Sequence, residues 1–126
     1  RWLKRPHQPV STERLRGFAQ FQRLDDAHLA ELSARSLLYI APAGIRLLER
    51  DLHDAWNLYL LEGSLMLTPA DGATLRVHGG TDKAVHPVAF LTPRKYAVET
   101  LTPVSFLWVH DLLLEALLGD ATRPAG

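Results

Sequence analysis

The chain contains no cysteine. Disulfides and thiolate-bound metals are thereby excluded, and the redox compartment is left open. Nor is there an excess of charge: 14 Lys and Arg balance 14 Asp and Glu, for a formal net charge of +0. A domain that coats nucleic acid usually carries a net basic surface, so direct nucleic-acid binding is not expected. Long hydrophobic runs are missing too. A helix that crosses a bilayer needs about 20 apolar residues. The longest candidate, Ser105 to Leu118, is broken by His110-Asp111 and Glu115, so no membrane span is expected. There is no His-x-His pair, and none of Ser11, Ser33, Ser36, Ser64 and Ser105 sits in a nucleophile elbow. His78 and His86 flank Gly79-Gly80 and could meet across a hairpin, but no carboxylate stands at ligand spacing. Neither a metal nor a cofactor is expected, and no catalytic residue can be named, so the reading is not an enzyme.

What is present is a core. At 126 residues and 47% hydrophobic, the chain is long enough for one domain and too apolar for disorder. Residues 1–10 read as an arm or linker, 11–119 as the domain and 120–126 as a tail. The chain begins at Arg1 rather than Met, which is compatible with a fragment of a longer protein. From Ser11 to Ser36 the apolar spacing is helical: Leu15, Phe18 and Phe21, then Leu29 and Leu32. Ser11 or Thr12 caps the first helix, and Asp25 or Asp26 the second.

From Leu37 to His110 the pattern becomes short apolar runs at roughly 8–12-residue spacing, separated by turn signals. The predicted strands are Leu37–Ile40, Ile45–Leu48, Trp56–Leu61, Ser64–Leu67, Thr74–His78, Lys83–Phe90, Tyr96–Leu101 and Ser105–His110. Glu62-Gly63 and Asp71-Gly72 read as hairpin turns, with Gly63 free to take positive φ. Trp56, Tyr59, Phe106 and Trp108 fall in strands and read as core or interface. Asp111 then caps a short helix, Leu112–Leu118, closed by Gly119. That helix is apolar on nearly every side, so it packs against the strands and against something more. Its partner is either the N-terminal helices or a second subunit, with Leu113, Leu114, Leu117 and Leu118 as the interface.

The order of helices, about eight strands and an apolar helix resembles the cyclic nucleotide-binding domain family, the sensor β-roll of catabolite activators and kinase regulatory subunits. The residues that carry the resemblance run from Phe18 to Leu118. They are Ala43-Gly44, Leu58-Tyr59-Leu60-Leu61-Glu62-Gly63-Ser64-Leu65, Asp71-Gly72, and Pro93-Arg94 followed by Ala97-Val98 and Leu101-Thr102. The resemblance implies a mainly β fold with flanking helices: an eight-stranded antiparallel, jelly-roll-like β-roll with N-terminal helices and a short C-terminal helix. It also implies a cytoplasmic, bacterial-type sensor.

In the family a short helix and the following turn cradle a cyclic phosphate, one arginine binds it, and an upstream glycine–glutamate pair supports the helix and the ribose hydroxyl. By resemblance the arginine falls on Arg94, with Ala89, Phe90, Thr92 and Lys95 around it. The glycine–glutamate pair falls on His86-Pro87, and there the sequence departs: the carboxylate is gone and proline removes an N–H donor. The segment from Pro87 to Pro93 is also about two residues shorter than the family cassette, by that resemblance. Arg50-Asp51 stands where the family prefers glycine. Two readings of Arg94 remain. It holds an anion, with Lys95 adding a second cation, or it pairs with a surface carboxylate such as Glu99 or stays solvated. The expected function is a regulatory or sensory domain of a larger signalling protein with weak or lost cyclic mononucleotide binding. The alternative is a ligand-free interaction or dimerisation module. Candidate partners are a cyclic nucleotide, a cyclic dinucleotide or a second copy forming a homodimer.

Overall fold

The computed structural model describes residues 3–4, 10–89 and 93–122, with side chains for 10–89 and 93–119. The elements in chain order are β1 (Leu3–Lys4), α1 (Thr12–Leu15), a 3-10 helix (Ala19–Arg23), α2 (Asp26–Arg35), β2 (Leu37–Ala41) and β3 (Arg46–Leu48). There follow β4 (Trp56–Glu62), β5 (Ser64–Pro69), β6 (Leu75–His78), a second 3-10 helix (Asp82–Val85), β7 (Tyr96–Thr100), β8 (Val104–His110) and α3 (Asp111–Thr122). The fold is the expected antiparallel roll with flanking helices. One sheet has the order β1-β2-β8-β4 and the other β3-β7-β5-β6. The chain bends from one sheet to the other between β2 and β3, between β4 and β5, and between β7 and β8. Two ribbons, β2–β3 and β4–β5, thus lie on either side of the central ribbon β7–β8.

Alternation places the apolar residues. Leu58 and Leu60 of β4, with Phe106 and Trp108 of β8, point between the sheets, where they meet Leu65, Leu67, Val77 and Val98. Their neighbours of opposite parity, Tyr59, Leu61, Leu107 and Val109, face outward onto Leu15, Phe18, Phe21, Leu29 and Leu32 of the N-terminal helices. Strands β4 and β8 are therefore buried on both faces. Tyr59 is packed by Phe18 and Phe21, with ring centroids 5.2 and 4.7 Å away, and its hydroxyl donates to Gln20 Oε1. Burial, helped by the Asp111 charge, holds that hydroxyl well above its ordinary titration range, so it stays a donor.

The local helix signals are in place. Ser11 Oγ accepts from the Arg14 N–H at 3.2 Å, and Asp25 Oδ1 from the His28 N–H at 2.8 Å. α3 packs within the domain. Leu113, Leu114 and Leu117 are buried in the helical cluster, and the partly buried Leu118 packs against it. The face α3 turns to solvent carries Leu112, at 69% exposure.

Several expectations are corrected. The run Lys83–Phe90 is not a strand: Asp82–Val85 form a 3-10 helix and Val88 makes a single bridge to Leu58. Pro87 lacks the N–H that a ladder there would require. The seven other predicted strands form, and the two residues of β1, expected in the arm, pair with β2 at Leu3↔Ile40 and Lys4↔Tyr39. Glu62-Gly63 is a corner between sheets, not a hairpin. Gly63 does take φ 95°, and a Cβ there would meet the Pro103 carbonyl oxygen at 2.4 Å. Asp71-Gly72 does close a hairpin, joining β5 to β6. α3 runs through Gly119 to Thr122 instead of stopping at Gly119. Asp111 is its first residue rather than its cap, and its Oδ1 accepts from Asn57 Nδ2 at 2.7 Å. Among the described residues no helix is long and apolar enough to cross a membrane.

Candidate functional site

Arg94 sits on the turn that leads into β7, with Pro93 fixing the backbone before it. Two backbone hydrogen bonds lock that turn to the loop between β3 and β4: Asp51 N–H to the Arg94 carbonyl at 2.7 Å, and Arg94 N–H to the Leu52 carbonyl at 2.9 Å. Asp51 holds φ 69°, the left-handed conformation for which glycine is favoured and which aspartate tolerates. The turn at Arg50-Asp51 therefore forms without the family's glycine.

The Arg94 side chain points inward and is fully buried, with 1% exposure for the residue. Its guanidinium makes a fork with Asp54: Nε to Oδ2 at 3.0 Å and Nη2 to Oδ1 at 2.5 Å. Nη2 also donates to the Trp56 carbonyl at 2.5 Å, and Nη1 to the Ala89 carbonyl at 2.8 Å. Ala89 is itself strained, with φ 51°, and the bond from Arg94 helps to hold it there. Asp54 completes its own shell by accepting from the Trp56 N–H at 3.0 Å. Burial pushes the Asp54 carboxyl up, but the Arg94 hydrogen bonds, the Trp56 N–H and the Arg94 charge together outweigh it. The carboxyl ends below its ordinary range and stays ionised at neutral pH. No buried side-chain polar atom among the described residues is left unpaired.

The sequence-predicted site residues thus separate. Arg94 and Ala89 come together, through a side chain and a carbonyl. Lys95 and Pro93 are exposed. Phe90 and Thr92 lie outside the described residues. Glu99, the carboxylate suggested for Arg94, stands in β7 opposite Arg46 and Met66. The partner is Asp54, 40 residues earlier in the chain. The one local sign of Asp54 is its place two residues before Trp56, where its side chain turns back to a main-chain N–H. At the position of the family's glycine–glutamate pair, His86 is exposed and Pro87 buried. His78 does not meet His86; its Nδ1 lies 2.6 Å from Ser64 Oγ, its cross-strand neighbour.

Compared with solved structures, the chain superposes on the sensor domain of the transcriptional regulator DNR from Pseudomonas aeruginosa with a TM-score of 0.72, at 16% identity, over 86% of this chain and 80% of that one. This is the β-roll of cyclic nucleotide-binding domains. The same roll occurs in the regulatory domain of Toxoplasma gondii PKA, solved with cAMP, at TM-score 0.71 and 17% identity. It occurs too in the regulatory subunit of a cAMP-independent protein kinase A from Trypanosoma brucei, at TM-score 0.70 and 19% identity. The chain is covered over 88% and 87% in these two comparisons but spans only 44% and 41% of the kinase regulatory chains. No family model matches the chain, and no curated protein matches it in sequence. A cyclic nucleotide-binding roll is thus established as a fold, while its ligand is a separate matter of side chains.

Proposed function

We propose that this chain is the regulatory module of a cytoplasmic signalling protein, with a cyclic nucleotide-binding roll that has lost its affinity for cyclic mononucleotides. The observation that carries this reading is the closed pair of Arg94 and Asp54. A phosphate approaching that guanidinium meets a carboxylate already in the fork, and no donor faces solvent because the Arg94 side chain is 0% exposed. Opening the pair leaves a buried charge without its partner, at a cost of about 3–5 kcal/mol. Pro87 removes a further N–H from the segment that would support the phosphate. Among the similar structures, one is described with cAMP bound and another is described as cAMP-independent, so the roll alone does not imply a response to that nucleotide. The non-enzymatic reading follows the same comparison, since these neighbours are sensor and regulatory domains.

Dimerisation through Leu113, Leu114, Leu117 and Leu118 is the weaker reading, because those side chains serve the domain's own core. Thermal-shift titration with cyclic AMP, cyclic GMP and cyclic di-GMP tests the proposal. A ligand present at 1,000 times its Kd adds about 4.1 kcal/mol of stability. The expected result at millimolar cyclic AMP or cyclic GMP is no shift. A shift on that scale, or micromolar affinity by calorimetry, overturns the loss of binding; a response confined to cyclic di-GMP moves the ligand class to dinucleotides.

A further inference from the structure

The last residue of β8 lies directly before the first residue of α3, so the helix start has no connecting loop to satisfy its free N–H groups. One of them is met by a side chain the helix does not usually use. His110 Nδ1 accepts from the Leu112 N–H at 3.1 Å, the bond an N-cap residue makes to the second helical position. An imidazole nitrogen accepts only when it carries no proton, so this ring keeps its proton on Nε2. Its orientation is set by the Trp56 ring, edge-on at a centroid distance of 4.9 Å and an angle of 85°. Trp56 in turn stacks on Trp108 at 5.9 Å, and its carbonyl is one of the acceptors that hold Arg94.

We propose that His110 is a proton-sensitive cap on α3, which mild acid removes while the roll stays folded. A protonated imidazole carries N–H on both nitrogens and can no longer accept from Leu112. Its charge also stands at the positive end of the α3 dipole, where a cation is unfavourable. Charged groups around His110 are Asp111 and Glu115 of α3, together with Asp54 before β4 and Arg94 before β7, both hydrogen-bonded to the main chain of its strand partner Trp56. Asp54 stays ionised throughout the window because its carboxyl sits below the ordinary range. Asp111 turns its Oδ1 to Asn57 Nδ2. Histidine is the side chain whose charge ordinarily changes between pH 5 and 8. The first turn of α3 is then held at pH 7.5 and loosened at pH 5.0, whether or not a nucleotide binds.

Amide hydrogen exchange followed by NMR at pH 7.5 and 5.0 tests this, expressed as protection factors so that the intrinsic pH dependence of exchange cancels. The Leu112 amide is expected to lose about fivefold in protection at pH 5.0, the scale of losing one helix cap. In His110→Asn, whose side-chain oxygen accepts without titrating, that pH dependence should disappear. Ring nitrogen shifts of His110 in the unaltered chain give an independent reading, with Nδ1 unprotonated at pH 7.5. The proposal fails if Nδ1 carries the proton at pH 7.5 or if Leu112 protection is the same at both pH values. It fails equally if β8 and α2 amides lose protection to the same extent, or if His110→Asn keeps the wild-type pH response.

Discussion

Among the described residues the two sheets of the roll contain four strands each and live in different surroundings. The sheet β1-β2-β8-β4 is backed by helices, and its strands β4 and β8 are apolar at both parities, as in Leu58-Tyr59-Leu60-Leu61 and Phe106-Leu107-Trp108-Val109. In the sheet β3-β7-β5-β6, strand β6 alternates apolar and polar residues, Leu75-Arg76-Val77-His78, and Arg76 and His78 are exposed. A strand that buries both faces loses the period-2 signal and reads as a continuous run. The difference therefore tells which sheet the helices cover. It also explains why the buried arginine sits where it does. Trp56, at the end of the helix-backed sheet, offers its carbonyl and N–H to the pair of Arg94 and Asp54, so the loop ends there are sealed by a charge pair rather than by a helix.

The strongest way to break this comparison is to unseal that end. Asp54→Ala leaves the Arg94 guanidinium buried without its counter-charge, and a loss of about 3–5 kcal/mol is expected in denaturant unfolding. On the other sheet, Glu49→Ala removes an exposed partner of Arg46 and should cost less than about 1 kcal/mol. Equal, small losses would mean that the buried pair is no seal. Acid offers a second reading of it. The Asp54 carboxyl is held below its unfolded value, so its stabilisation is complete above about pH 4 and is lost as pH falls through the folded value. The stability gap between the wild-type chain and Asp54→Ala should be constant from pH 7 to 5 and shrink only below about pH 4.

Next in size is Leu107→Ala on the helix-backed face, expected to cost about 2–5 kcal/mol by opening a cavity between β8 and the helices. A change within about 0.5 kcal/mol would show that the helices do not pack there as a core. Tyr59→Phe keeps the rings of that layer and removes one hydrogen bond to Gln20, so about 1 kcal/mol is expected by thermal melting. The smallest effect belongs to the exposed face of β6: Arg76→Thr should leave stability within about 0.5 kcal/mol. A large loss there would mean that this face of β6 is covered after all.

Much of the fold was legible residue by residue. Ser11 and Asp25 cap their helices because a short polar side chain needs only the N–H three residues on. Gly63 takes positive φ as read, yet the same glycine marks a corner rather than a hairpin, because a turn signal does not say to which sheet the next strand goes. The stretch from Lys83 to Phe90 reads as a strand on apolar content, and Pro87 and the bridge at Val88 show why no ladder forms. At the candidate site the arginine was found from its turn, but its partner was not. Glu99 is close in sequence and stands opposite Arg46 and Met66, whereas Asp54 arrives through a loop clasped to the turn by the bonds of Asp51 and Leu52 to Arg94.

Composition and spacing were thus enough to read a mainly β fold with flanking helices, the caps Ser11 and Asp25, the positive φ of Gly63 and the turn that carries Arg94. These depend on forces that act within a few residues: dihedral preference, capping and the alternation of apolar side chains. The fate of that arginine was settled by packing. A guanidinium reaches solvent, an anion or a carboxylate according to what the fold sets within about 3 Å of it, and here two segments 40 residues apart meet to close the fork.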